Sequence, residues 1–192
     1  MEALARESTV FEVLVKALAD NGALRLDANG GWNLMEARRW LELLEGEEAI
    51  QFVEDPLPLN LWEGSFDLAK SFETPLAFDL PASHELSATL VDRDWPGFLV
   101  VKPSLSSSMD GLFEMANTFS GRTIFSSAFE TAFGYEAVLR LSMIAQASDC
   151  ALGMGGQDLF EEDCFGLHRT APSLRSGDVE FDDLDQIWQE IR

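Results

Sequence analysis

Ile50-Gln51-Phe52-Val53-Glu54-Asp55-Pro56 is a short apolar run closed by two carboxylates and a proline. Such a run reads as a strand, and the proline ends its pairing. The same arrangement recurs on both sides of it. Leu24-Arg25-Leu26-Asp27-Ala28-Asn29 precedes it; Leu76-Ala77-Phe78-Asp79 and Phe98-Leu99-Val100-Val101-Lys102-Pro103 follow. The polar groups closing the four runs are Asp27, Glu54, Asp79 and Lys102, spaced by 27, 25 and 23 residues. A strand, a loop and a helix together fit each interval. Parallel strands around a helix-wrapped barrel bring the four strand ends to one rim, where such barrels place their chemistry.

The segments between the runs have helical spacing. A leading helix is predicted over 9–20, with Thr9 and Glu12 as a capping box and Phe11, Leu14, Val15 and Leu18 as one buried stripe. Asn33 and Glu36 start the next helix, its stripe is Ala37, Trp40, Leu41 and Leu44, and Gly46 stops it. Further helices are expected over 63–72, near 84–91, through Leu112, Met115, Ala116 and Phe119, and from the Ser126-Ser127-Ala128-Phe129-Glu130 turn to about 146. Two more strands are expected at 122–127 and 150–154. The predicted fold class is α/β, a partial TIM-type (β/α) barrel of about six parallel strands with outer helices, over residues 1–160. A doubly wound sheet competes, but it collects its ligand groups at one switch point, whereas here every strand end carries a polar group. Residues 161–192 form a tail with an acidic run. Its last helix, with Leu184, Ile187, Trp188 and Ile191 on one face, either closes the barrel or binds a partner.

Composition narrows the function. The 192 residues are 46% hydrophobic, with 14 Phe and 5 Trp, enough for a sizeable core. The net charge of −21, from 34 acidic and 13 basic residues, opposes binding to nucleic acid or an anionic membrane surface. Cys150 and Cys164 lack metal-ligand spacing, and His84 and His168 have no evident partners. No run approaches a membrane span, and the expected location is the cytoplasm.

Asp27, Glu54 and Asp79 together suit Mg²⁺, which takes hard oxygen ligands and keeps several waters. Singly, each also fits a turn or an exposed strand end. Lys102, after four apolar residues, faces that cluster or snorkels to the rim. Ser126, Ser127 and the glycines Gly153, Gly155 and Gly156 can offer hydroxyls and bare N–H groups to a carboxylate. Gly153-Met154-Gly155-Gly156 has the wrong spacing and position for a dinucleotide fingerprint.

Arg25-Leu26-Asp27-Ala28-Asn29-Gly30-Gly31-Trp32, Glu54-Asp55-Pro56, Val101-Lys102-Pro103-Ser104 and Ser126-Ser127-Ala128-Phe129-Glu130 resemble the barrel of the enolase superfamily, over roughly residues 10–160. Within it they look most like the o-succinylbenzoate synthases. The resemblance implies a syn-dehydration of a cyclohexadiene carboxylate through an enediolate, a step of menaquinone biosynthesis. It implies Asp27, Glu54 and Asp79 as Mg²⁺ ligands and Lys102 as the catalytic cation beside the intermediate. It places Arg25, Asn29, Ser126 and Gly153 near the substrate or its water network. The alternatives are an acylamino-acid racemase or dipeptide epimerase on the same scaffold, or a non-catalytic metal-binding remnant. The chain departs from the family in two ways. Asp79-Leu80-Pro81 stands where Asp-Glu-Ser is usual. The capping domain and the second-strand Lys-x-Lys, whose second lysine is the base, have no counterpart. The expectation is an incomplete copy of a longer protein, inactive alone and self-associating through open barrel edges.

Overall fold

Every strand ends where its run meets a polar or turn residue, and every helix between strands buries one apolar stripe. The computed structural model describes residues 2–18, 22–80, 85–130, 132–145 and 150–155. Its elements, in order, are α1 (Glu2–Ala17), β1 (Leu24–Asp27), α2 (Leu34–Leu44), β2 (Ile50–Glu54), α3 (Trp62–Ser71), β3 (Leu76–Asp79), α4 (Glu85–Asp92), β4 (Phe98–Val101), α5 (Met109–Thr118), β5 (Thr123–Phe125) and α6 (Ala132–Ala145). The five strands pair in sequence order and all in parallel, forming a half-barrel with helices.

Two expectations need correction. Where a sixth strand was expected, a single parallel bridge joins Ser126 to Gly153. A glycine-rich segment has little side-chain packing to extend a ladder. The leading helix begins at Glu2, so Thr9 and Glu12 lie inside it and do not mark its start. Of its expected stripe only Phe11 is buried, and Leu14 is 45% exposed. Elsewhere the helical reading holds. The Asn33–Glu36 capping box is complete, and Ala37, Trp40, Leu41 and Leu44 are all buried. Ser108 caps α5 by accepting from the Gly111 N–H, and Leu112, Met115 and Ala116 face inward. His84, Gly156, Cys164, His168 and the tail 161–192 lie outside the described residues.

Strand side chains alternate between two cores. Toward the helices, Val53, Leu76, Phe78, Leu99, Val101 and Phe125 pack with α2, α3 and α5. Trp95, fully buried, lies 4.8 Å from the Phe66 ring and 4.6 Å from Phe78, and its indole N–H donates to the Phe98 carbonyl (3.1 Å). On the opposite face Phe52, Ala77, Val100 and Ile124 form a small second cluster. This is the barrel's inner side. A slip of register between Leu24 and Arg25 makes Gln51 an extra residue in β2. That bulge turns the Gln51 side chain inward, where its amide oxygen accepts from Arg25 Nε at 2.7 Å.

Candidate metal and substrate site

Side chains repeat every second residue along a strand, so the positions two beyond Arg25, Phe52, Ala77, Val100 and Ile124 share the inner face. They are Asp27, Glu54, Asp79, Lys102 and Ser126. Register staggers them. Asp27 is level with Glu54, Glu54 with Ala77, and Asp79 with Val100. From β2 to β3 and from β3 to β4 the polar group thus advances by two residues, as strands tilted around a barrel require.

Each group has local partners. The two Asp27 carboxylate oxygens accept from the Asn29 backbone N–H (2.8 Å) and from its side-chain amide (2.7 Å). Asn29 sits at φ +48, which asparagine tolerates better than most residues. The Asp79 carboxylate accepts from the Lys102 ammonium, and these side chains are 22% and 26% exposed. The Ser126 hydroxyl donates to the Gly153 carbonyl (2.9 Å). A Cβ on Gly153 would lie 2.6 Å from that hydroxyl oxygen, so only glycine fits there. Arg25 reaches across to the Ala151 carbonyl and lies 5.1 Å from the Phe52 ring centroid, which forms part of the floor beneath the rim.

Electrostatics mark these groups as one cluster. Burial first, then the charges of Asp27, Asp79 and Asp55, push Glu54 up to about 7, against the pull of Lys102. Burial also raises Asp55, to about 6, although the hydrogen bond from the Asp79 backbone works against it. Burial would lower Lys102. Its hydrogen bond to Asp79 and the charges of Asp79, Glu54 and Asp27 outweigh that, and the net shift is upward. Lys102 is therefore held as the ammonium. Burial lowers Arg25, against Cys150 and Glu54.

Among the described residues no three histidine, cysteine, aspartate or glutamate side chains are gathered tightly enough to hold a metal ion as they stand. Asp27 is engaged by Asn29 and Asp79 by Lys102.

Sequence reasoning passed over two residues here. Asp55, taken as a strand terminus, has φ +42 and accepts the Asp79 backbone N–H on its side chain (3.1 Å). An aspartate immediately before a proline, at the end of a strand, was the available signal. Glu130 receives the Ala128 N–H (2.8 Å) and the Ser104 hydroxyl, tying the turn after β5 to the one after β4.

Similarity to known proteins agrees with this geometry. The family model described as Enolase C-terminal domain-like matches residues 2–83. The o-succinylbenzoate synthase of Thermosynechococcus vestitus is 36% identical over 155 residues, covering 78% of this chain and 48% of that protein. The crystal structure of o-succinylbenzoate synthase from Thermosynechococcus elongatus BP-1, complexed with Mg in its active site, superposes with a TM-score of 0.75 at 32% identity. That match covers 96% of this chain and 55% of the other.

The chain belongs to the enolase superfamily.

Another solved structure shares the fold alone. N-succinyl Arg/Lys racemase from Bacillus cereus matches with a TM-score of 0.72 at 18% identity, over 84% of this chain and 44% of that one. This enolase-superfamily chain spans about half the length of the curated relatives it matches.

Proposed function

We propose that this chain is part of a Mg²⁺-dependent carbon–oxygen lyase of the o-succinylbenzoate synthase type, acting in menaquinone biosynthesis in the cytoplasm. The observation that carries the reading is the placement of Asp27, Glu54, Asp79 and Lys102 two residues beyond inner-face positions of four adjacent parallel strands. Similarity of 36% to a curated o-succinylbenzoate synthase supports the substrate class. No helix among the described residues is long and apolar enough to cross a membrane.

The donor set fits a hard divalent cation. It offers carboxylate oxygens without histidine or cysteine, and Glu54 is crowded by three other acidic groups with Lys102 as the cation opposing them. Asp27, Glu54 and Asp79 would hold the ion; Asn29 and Lys102 would give up part of their present bonds to Asp27 and Asp79. When bound, Mg²⁺ would fix the substrate carboxylate and supply charge as that carboxylate becomes more electron-rich.

The dehydration removes a proton beside the carboxylate and a hydroxyl that leaves as water. Lys102, held protonated, is not the proton acceptor. Its role is a fixed cation beside the developing anionic π system. Lys16 and Lys70 are exposed on α1 and α3, so neither is a candidate base. The Ser126–Gly153 pair and Asn29 keep the rim in place around the substrate or its waters, and Arg25 closes the floor.

The test is an assay of o-succinylbenzoate formation by this chain and by the same chain extended with the N-terminal half of a full-length relative. General acid–base catalysis contributes about 10²–10⁴-fold, so turnover should appear only with the extension and vanish in Lys102→Ala. Full turnover by the chain alone refutes an external base. Racemisation of an N-acylamino acid without dehydration transfers the assignment to the racemase or epimerase reading, whose fold this chain shares. Metal binding with neither dehydration nor racemisation, even in the extended protein, leaves the non-catalytic metal-binding remnant.

A further inference from the structure

Asp55 connects the ends of all three carboxylate-bearing strands, and the register shows how. The β2–β3 ladder pairs Val53 with Leu76 and Glu54 with Ala77, and the Asp55 N–H continues it by donating to the Ala77 carbonyl (3.0 Å). The next rung of a parallel ladder would take the Asp79 N–H to the Asp55 carbonyl. That carbonyl instead accepts from the Gly30 N–H (2.7 Å), in the turn just beyond Asp27. The Asp55 side chain takes the vacated rung, its Oδ1 accepting the Asp79 N–H at 3.1 Å. The exchange needs the backbone at φ +42, a left-handed conformation that is uncommon outside glycine, asparagine and aspartate and is further disfavoured before proline. Three hydrogen bonds, two to β3 and one to the turn after β1, hold it there.

We propose that Asp55 is a positioning residue for the metal site, setting where Asp27, Glu54 and Asp79 stand relative to one another by substituting its side chain for a backbone rung. The inference rests on the metal reading of those three residues. It adds a role for a group that is not itself among the proposed ligands. The residue must accept a hydrogen bond from its side chain and must also tolerate positive φ. Asparagine meets both requirements, glycine only the second, alanine neither.

The experiment titrates the 192-residue chain with Mn²⁺, following the loss of the free-ion electron paramagnetic resonance signal, for wild type, Asp55→Asn, Asp55→Gly and Asp55→Ala. Groups that orient metal ligands typically contribute about 10–100-fold to affinity. Asp55→Asn should bind within about threefold of wild type, and Asp55→Gly and Asp55→Ala about 10–100-fold more weakly. A second readout needs no metal. Hydrogen exchange of the Asp79 backbone amide should quicken in Asp55→Gly and Asp55→Ala and stay slow in Asp55→Asn. Wild-type affinity in Asp55→Gly overturns the proposal, because the side-chain rung would then be dispensable. Equal weakening in Asp55→Asn overturns it in favour of simple charge attraction. If the wild type binds no Mn²⁺ while the exchange pattern holds, the metal reading fails and the tie itself survives; an unchanged exchange pattern removes the tie.

Discussion

Replacing Glu54 by glutamine in a metal-free buffer should make the protein more stable at alkaline pH. Burial, reinforced by Asp27, Asp79 and Asp55, moves the Glu54 carboxyl from its ordinary 4.5 to about 7. The folded protein therefore holds this proton more tightly than the unfolded chain does. The stability associated with that proton is complete below about 4.5 and is lost as the pH rises through about 7. At about 1.36 kcal/mol per pH unit, the span caps the loss at about 3.4 kcal/mol. Glu54 is only half-buried, and solvent screening reduces the figure to about 1–2 kcal/mol. Glutamine keeps the shape and does not ionise. Urea denaturation followed by circular dichroism, with a chelator present, should show Glu54→Gln more stable by about 1–2 kcal/mol at pH 8.5 and level with wild type near pH 4.5. A difference that is the same at both pH values, or a wild type more stable than the variant at pH 8.5, would show that Glu54 is not crowded by its acidic neighbours.

Four other outcomes follow from particular contacts. Lys102→Met leaves Asp79 without its cation in a partly buried site, and urea denaturation at pH 8 should show a loss of about 1–2 kcal/mol, below the range for fully buried pairs. Trp95→Ala empties the space against Phe66 and Phe78 and removes the indole N–H that donates to the Phe98 carbonyl, with an expected loss of about 3–5 kcal/mol by the same measurement. Asn33→Ala removes the capping box of α2 and should cost about 1 kcal/mol, read as a lowered thermal midpoint. Gly153→Ala forces a methyl against the Ser126 hydroxyl, so amide exchange at Gly153 and Ser127 should quicken while that of β2 stays unchanged.

Much of the scaffold was legible because its periodicities are simple. Asn33 with Glu36, followed by Ala37, Trp40, Leu41 and Leu44, states a helix start and a buried face without help from tertiary structure. The strand ends were legible for a similar reason: Asp27, Glu54, Asp79 and Lys102 each interrupt an apolar run, and the interval sets a common rim. The leading helix misled because Thr9 and Glu12 have capping spacing inside a helix that had already begun at Glu2. The sixth strand was overread because apolar residues between glycines carry a strand pattern without the packing that sustains one. Asp55 was hidden for a deeper reason. Its role depends on which carbonyl the next strand's N–H fails to reach, and that is decided by register and a positive φ. The same holds for Glu130, whose partners Ser104 and Ala128 lie on two different turns.

The claim on which the account turns is that the rim carboxylates of β1, β2 and β3 form one divalent-cation site. Calorimetric titration of the chain with Mg²⁺ tests it most directly, beside Asp27→Asn, Glu54→Gln and Asp79→Asn. The account predicts one Mg²⁺ per chain, with affinity reduced at least about tenfold in each of the three variants, since each removes a ligand charge. The absence of Mg²⁺ binding by the wild type, or binding that all three substitutions leave unchanged, would contradict it.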